Sequence, residues 1–251
     1  MANNYIKDIF KDVLKHTHGL GIFEMVKMTG TVESTNIETV DPDKTVILKG
    51  KTINPVPDFV DATIGLSRMG VLQGYLQYPG FDDENASVQI VTQERNEETV
   101  PVEVEFISAD GNDAHYRFML ADIVNQQLKE IKFKGAEFDI NIVPTAKNLK
   151  DLGYFNSVLG TYEANFMPKT NGTDLFFHIG DGTSDRTKIH INSNIEGSIS
   201  RDWRWPLDIV LKILRLGDNA NCVLSINDQG LLQIVVDSGL GVYTYLLPAK
   251  S

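Results

Sequence analysis

The chain has 251 residues, of which 42% are hydrophobic and 23% charged, a composition typical of a globular protein and not of a disordered or fibrous one. Its length permits one large domain or two of ordinary size. Its formal net charge of −11 argues against nucleic acid as a partner if the charge is spread evenly, because phosphate binding depends mainly on Lys and Arg.

Four helices are predicted from the spacing of apolar residues, in chain order at residues 5–17, 67–77, 145–160 and 201–216. Ser67 and Thr145 are candidate N-caps for the second and third helices. Pro206 stands in the first turn of the fourth, where its missing N–H has no cost.

Strands are predicted for most of the remaining chain, because apolar and polar residues alternate there. The clearest are at residues 21–28, 45–51, 100–107 and 137–143. Three more, in the last 31 residues, are separated by glycine-containing turns, which predicts an antiparallel meander.

The predicted elements occur twice in the same order: a helix, several strands, a second helix and three strands. The sequence therefore predicts an α+β fold with two similar domains of antiparallel sheet and helices on one face. We place the domains at residues 1–120 and 139–251, joined by a connector at residues 121–138.

Charge is not evenly spread between the predicted helices and the rest of the chain. The four helical segments hold ten of the 23 bases and five of the 34 acids, so they sum to +5 and the rest of the chain to −16. Lys7, Lys11 and Lys15 are spaced four apart and form one stripe on the first helix. A charged stripe opposite an apolar one is usually a solvated face, but four positive helices in an acidic chain suggest a basic surface for phosphates.

The order of elements resembles that of the DNA sliding clamps, the processivity factors of replicative polymerases. The closest type has two domains per chain, as in proliferating cell nuclear antigen (PCNA) and the clamps of tailed phages. The segment "CVLSINDQGLLQIVVDSGLGVYTYLLPA" is similar to the closing hairpins of that family, and "VDATIGLSRMGVLQGYL" to the strand-then-helix step of its first domain.

The resemblance implies a homotrimeric ring that encircles double-stranded DNA without reading its sequence. It implies that helices line the hole and that subunits join by pairing edge strands; we expect residues 114–120 to pair with residues 186–191 of a neighbour. The residues expected to face DNA are Lys7, Lys11, Lys15, Arg68, Lys147, Lys150, Arg204, Lys212 and Arg215.

The resemblance also implies protein partners, namely a DNA polymerase and a clamp loader. Such partners insert an apolar plug into a pocket beside the connector and the C-terminal tail. Carried over by position, the pocket residues are Val40, Ile123, Leu128, Tyr245, Leu247 and Pro248. For each of them, ordinary core or strand packing is the alternative interpretation.

The sequence shows no pattern that predicts an enzyme. It lacks a P-loop, a nucleophile elbow and a plausible acid–base pair, so we expect no catalytic residue, cofactor or metal. The single cysteine, Cys222, excludes an intrachain disulfide, and the N-terminal segment lacks the apolar core of a signal peptide. We therefore expect a cytoplasmic protein, in the host cytoplasm if a phage encodes it, and no membrane partner.

Two other hypotheses stay open at this point. A β-rich structural protein that forms rings, such as a virion component, would explain the strands and edge pairing but gives no reason for positive helices. An enzyme with a dispersed site would need a cleft of convergent polar groups.

Overall fold

The computed structural model of the protein describes residues 2–95, 97–129, 135–217 and 221–250, with the backbone alone for residues 2–4. The chain folds into two compact units. The first contains the described elements up to residue 129 together with Gly239–Val242, and the second contains the rest. In the described residues, no helix combines the length and apolar character needed to cross a bilayer.

Among the described residues, the first unit contains four helices and seven complete strands. The helices are α1 (Ala2–His16), α2 (Met69–Gln77), α3 (Pro79–Asp82) and α4 (Ala121–Gln127). The strands are β1 (Val26–Gly30), β2 (Thr35–Val40), β3 (Ile47–Thr52), β4 (Thr63–Leu66), β5 (Ser87–Arg95), β6 (Glu98–Ile107) and β7 (Asp113–Arg117).

Two antiparallel sheets make up this unit, in the orders β4–β1–β2–β3 and β5–β6–β7. Its core contains three aromatic rings from α1, from a 3₁₀ turn and from the segment after β7. The centroid of the Phe10 ring lies 6.2 Å from those of Phe59 and Phe118, which are 5.9 Å apart. Tilted and edge-on ring pairs of this kind add about 0.5–1.5 kcal/mol each beyond burial.

The second unit repeats this order of elements. Its helices are α5 (Ala146–Leu159) and α6 (Leu207–Leu214). Its strands are β8 (Ile140–Ile142), β9 (Asn165–Asn171), β10 (Asp174–Ile179), β11 (Thr187–Asn192), β12 (Trp205–Pro206), β13 (Cys222–Ile226), β14 (Leu231–Asp237) and β15 (Gly241–Pro248), the last of which belongs to this unit from Tyr243 onward. They form sheets in the orders β15–β14–β13–β8 and β11–β10–β9–β12. The predicted α+β class and the repeat of architecture are thus confirmed.

Several predicted elements agree closely with the structure. The three C-terminal strands are confirmed, and α5 begins at the predicted cap: Thr145 Oγ1 accepts a hydrogen bond from the Asn148 backbone N–H, while Asn148 Oδ1 accepts one from the Thr145 N–H. A reciprocal pair of this kind satisfies two N–H groups that the helix itself leaves without partners.

Other predicted boundaries are wrong. Arg68, not Ser67, is the N-cap residue of α2, and its φ of 50° places it in the left-handed region. The fourth helix begins at Leu207 because Trp205 and Pro206 form a short strand with β9. Residues 121–127, predicted as a connector, form α4; residues 130–134 of that connector lie outside the described part of the chain, and the domain boundaries stay a prediction.

His16 is completely buried at the end of α1, and this gives the first unit a defined sensitivity to acid. Burial, and secondarily the charge of Lys15, lowers the pKa of His16 from 6.5 to about 3. As the pH falls below 6.5, the unfolded chain binds a proton at this position while the folded chain does not. We expect this residue to reduce the free energy of unfolding by up to about 1.4 kcal/mol per pH unit between pH 6 and pH 4.

The measurement is urea denaturation of the wild type and of His16→Gln at pH 7, 6, 5 and 4. The variant should lose part of the pH dependence, whatever its stability at pH 7. His18→Gln, two residues away and only half-buried, is the matched control for the loss of a histidine near the end of α1. Equal slopes in all three proteins would contradict the assignment.

Candidate nucleic-acid interface and partner groove

Lys7 lies inside the first unit and not on its surface. Only 7% of the residue is exposed, and its Nζ donates a hydrogen bond to the Phe81 carbonyl at 3.0 Å and pairs with Asp82 Oδ1 at 3.0 Å. Both acceptors come from α3, which is distant from Lys7 in sequence. The prediction that Lys7 faces DNA is therefore wrong, because its ammonium group is already desolvated and paired within the fold.

Asp82 also binds the second lysine of the α1 stripe. Lys11 Nζ lies 2.9 Å from Asp82 Oδ1. Hydrogen bonds from Lys11 and Lys7 are the main cause that lowers the pKa of Asp82 to about 2, so this carboxylate is charged at neutral pH. Lys11 keeps an exposed side chain, but this one acid offsets part of the stripe's apparent excess charge.

Two further predicted bases pair with acids one turn away on their own helices. Lys147 pairs with Asp151 on α5, and Lys212 Nζ lies 2.9 Å from Asp208 Oδ2 on α6. Both lysines are exposed, and surface pairs of this kind are worth about 0–1 kcal/mol. A phosphate can compete for both lysines at little cost.

Arg204 lies outside the helix in which it was predicted. It precedes α6 and forms an isolated backbone bridge with Lys250, so it lies on extended chain and not on a helix. Its Nη2 is 3.9 Å from Asp181 Oδ2.

Four of the predicted bases are exposed and form no ion pair with any described residue. There is one at each of α1, α2, α5 and α6: Lys15, Arg68, Lys150 and Arg215. The Arg215 guanidinium lies against α5, since a methyl group added at Gly153 would be 2.6 Å from its Nη2. In the second unit, α5 and α6 therefore present neighbouring positive groups.

The observed boundaries reduce the predicted charge difference between helices and strands. The four helices that correspond to predicted ones contain six bases and four acids, a net charge of +2 instead of +5. Arg68 and Arg215 still flank α2 and α6 directly. The positive character of the helices is therefore real but modest, and it depends mainly on the four bases without ion pairs.

A groove beside α4 contains two of the predicted pocket residues. Val40 at the end of β2 and Leu128 at the end of α4 line it together with Ile47 and Leu48 of β3. Val40 and Ile47 are half-buried, which leaves apolar surface accessible from solvent. Ile123, on the same helix, is 43% exposed but is not part of the lining.

The polar end of this groove was missed by sequence reasoning. Lys27 Nζ lies 2.8 Å from Glu38 Oε2, and Lys49 Nζ lies 4.0 Å from Glu38 Oε1. Lys27 is only 8% exposed, so the carboxylate holds a nearly buried ammonium group. On alternating strands these charges have the pattern of a solvated face, and no sequence signal distinguishes them from one.

The predicted pocket residues of the second unit differ in burial from those of the first. Tyr245 is 0% and Leu247 1% exposed, and the Leu247 carbonyl accepts a hydrogen bond from Trp205 Nε1 at 2.8 Å. Both side chains are core residues and offer no surface to a partner, so their assignment to the pocket is corrected. Pro248 is exposed.

The fold is shared with solved structures of known proteins. No protein-family model and no curated protein matches the sequence. Solved structures match over nearly the whole chain. A complex of the C-terminal region of FEN-1 with A. fulgidus PCNA superposes with a TM-score of 0.69 at 10% identity, covering 98% of this chain and 96% of that one.

Two other structures give the same result. PCNA from Thermococcus kodakaraensis has a TM-score of 0.66 at 14% identity, with 96% of both chains covered. The PCNA2–PCNA3 complex from Sulfolobus tokodaii has a TM-score of 0.64 at 13% identity, covering 100% of this chain and 97% of that one. The chain has the PCNA-type sliding-clamp fold. At these identities the likeness establishes the fold alone.

In the described part of the chain, two strands lie at the ends of their sheets and have a neighbouring strand on one side only. β7 is the last strand of β5–β6–β7, and β11 is the first of β11–β10–β9–β12. Within the described residues, each is paired with only one neighbouring strand, so each presents unpaired N–H and C=O groups. They overlap the two segments that the sequence predicts to pair between subunits, although Met119 of the first segment pairs with Gly65 of the same chain.

The described residues show no arrangement of side chains typical of a catalytic or metal-binding site. Burial raises the pKa of the Cys222 thiol to about 11, which keeps it protonated and unreactive. Asp181, in an acidic glycine turn, accepts hydrogen bonds from the backbone and hydroxyl of Thr183. No group of three His, Cys, Asp or Glu side chains in the described part of the chain is arranged to hold a metal ion.

Proposed function

We propose that the protein is a DNA sliding clamp, a ring that encircles duplex DNA and tethers a DNA polymerase and other DNA-processing proteins. The observation that carries this proposal is the match to PCNA structures over 96–100% of the chain. A match of that extent includes both units and their repeated element order, so it is not the likeness of one common motif.

The ring follows from repetition and from the open strand edges. A chain that contributes two similar units, each with an unpaired edge strand, can add β7 of one copy to β11 of the next. The resemblance to two-domain clamps implies three copies, which would give six similar units around a hole with every such edge paired. On that ground we propose a homotrimer.

The four bases without ion pairs suit contact with DNA that must slide. Lys15, Arg68, Lys150 and Arg215 offer charge to phosphates, and attraction to phosphates is independent of sequence and depends on salt. Lys11, Lys147 and Lys212 are exposed and stay in the DNA-facing set as secondary contacts.

The groove beside α4 is the proposed docking site for partners. Its half-buried residues Val40 and Ile47 give a partner's apolar side chain a surface to pack on, beside the charged end formed by Lys27, Glu38 and Lys49. In one of the matched structures, the C-terminal region of FEN-1 is bound to a PCNA. By analogy we propose a replicative polymerase and a clamp loader as partners, in the compartment that holds the DNA. For a phage-encoded protein, that compartment is the host cytoplasm.

The experiment has two steps. Light scattering at several protein concentrations should give a mass near three times 28.0 kDa. The protein is then incubated with nicked circular DNA and washed in 0.5 M NaCl. A ring should remain on circular DNA and leave it after linearisation.

A strict monomer at high concentration would contradict the proposal. A stable trimer that never becomes linked to circular DNA would favour the alternative, a ring-forming structural protein.

A further inference from the structure

The groove beside α4 continues into a larger polar cleft on the same face of the sheet. The cleft has a volume of about 660 Å³, which is within the range of ligand-binding pockets. The two cavities share four lining residues: Lys27, Glu38, Lys49 and Leu128. The other residues that line the cleft are uncharged: Thr29, Asn36, Gly50, Thr63 and Asn125. A partner segment that fills the groove therefore reaches a second, polar surface.

The register of the strands arranges this surface in rows that cross the sheet. Val40 of β2 is paired with Ile47 of β3, which gives an apolar row. In the next row, the charged row, Glu38 is paired with Lys49 on one side and with Lys27 of β1 on the other. Side chains two residues apart on a strand point to the same face and are separated by about 7 Å. The charged row therefore lies about 7 Å from the apolar row.

The charged row has one more positive group than negative groups. Lys27 Nζ lies 2.8 Å from Glu38 Oε2, so the carboxylate is already engaged by a nearly buried ammonium group. Lys49 Nζ lies 4.0 Å from Glu38 Oε1, which is too long for a hydrogen bond, and the Lys49 side chain is 34% exposed. The Lys49 ammonium can therefore bind a further acidic group.

The lining of the two cavities as a whole is basic. Lys129 also lines the groove, so the cavities hold three lysines, and Glu38 is the only acid among their described lining residues. Acids on the surrounding strands, turns and helix line neither cavity: Glu33, Asp41, Asp43, Asp58, Asp61 and Asp122. Two of them, Asp41 and Asp43, lie in the turn after β2, beyond the apolar row. A carboxylate is therefore favoured on one side of the apolar row and disfavoured on the other.

We infer that the groove recognises an acidic partner segment, in which a carboxylate that binds Lys49 lies about 7 Å from the apolar side chain that packs on Val40 and Ile47. The inference rests on the proposed docking groove and adds to it the chemistry of the partner. An extended segment places residues two apart at this distance, and a helical segment places residues three or four apart at about 5–6 Å. A base at the same position of the partner meets the lysines of the lining and is disfavoured.

The test uses an array of immobilised twelve-residue peptides and the labelled protein in 50 mM NaCl. Every peptide has the same central pair of leucines and carries one Asp, Asn or Lys at a varied flanking position. At positions on one side of the leucines, Asp should bind about fivefold more tightly than Asn, as expected for a partly exposed ion pair, and Lys should bind more weakly than Asn. The advantage of Asp should disappear in 500 mM NaCl.

Three variants assign the effect to the groove. Lys49→Gln should remove the preference for Asp over Asn. Lys44→Gln makes the same change at an exposed residue of the β2–β3 turn that lines neither cavity, so it should keep the preference. Val40→Asp should weaken binding of every peptide, because it places a charge in the apolar row. Thermal unfolding of each variant shows whether it is folded.

The outcomes distinguish the inference from the proposed docking groove. Asn peptides that bind the wild type as tightly as the Asp peptides, and lose binding in Val40→Asp, would overturn the inference and leave the groove as the docking site. A preference for Asp that persists in Lys49→Gln would place the acidic contact elsewhere and would also overturn the inference. If no peptide bound, or if Val40→Asp bound the peptides like the wild type, both the inference and the docking groove would be overturned.

Discussion

Removal of three bases, Lys15, Lys150 and Arg215, is expected to weaken DNA association at least tenfold while leaving the oligomer intact. Each is exposed and has no ion pair among the described residues, so alanine removes a phosphate contact without leaving a buried charge unpaired. The slope of log K against log salt should fall in magnitude by about 0.9 for every phosphate contact that is lost. Arg68 is left in place because its φ of 50° would add backbone strain to the comparison.

The measurement is fluorescence anisotropy of a labelled duplex at 50, 100 and 200 mM NaCl, with light scattering to confirm the oligomer. The control variant replaces three exposed lysines outside the helices, Lys51, Lys129 and Lys250, and changes the net charge equally. The helix variant should lose affinity and slope, and the control variant should not. Equal losses would mean that the chain attracts DNA only through its overall charge.

Local signals in the sequence predicted much of the fold. The Thr145 cap and the three C-terminal strands depend on residues that are adjacent or a few positions apart, and these agree with the structure. The fourth helix was extended too far because Trp203 and Arg204 suit a helical pattern, yet Trp205 is fully buried and donates to Leu247. The tertiary contact of Trp205 outweighed local propensity.

The candidate site was less predictable, because its charges are decided by partners distant in sequence. Lys7, Lys11 and Lys15 are equivalent on a helical wheel, but Asp82 pairs with the first two and not with the third. That difference comes from α3 and cannot be read from the spacing of lysines. The bases that stay available are therefore a subset that only the folded chain defines.

A single carboxylate in the partner groove should abolish most of the affinity for a partner. Val40→Asp places a charge among Ile47, Leu48 and Leu128, where a partner's apolar side chain is proposed to pack. Buried apolar anchors contribute about 2 kcal/mol or more at interfaces, so we expect at least a 30-fold loss of affinity. Val40 is half-buried at the end of its strand, which limits the cost to the fold.

Binding to the replicative polymerase of the same source is measured by surface plasmon resonance. Val32→Asp is the matched control, since Val32 is 74% exposed outside the groove. Leu247→Ala tests a residue that the sequence assigned to the pocket but that the structure places in the core. The Leu247 side chain is 1% exposed, so we expect its truncation to lower the free energy of unfolding by about 2–5 kcal/mol. Unchanged polymerase binding in Val40→Asp would exclude the groove as the docking site. If Leu247→Ala lost affinity for the polymerase without being destabilised, the polymerase would instead be expected to bind at the C-terminal strand.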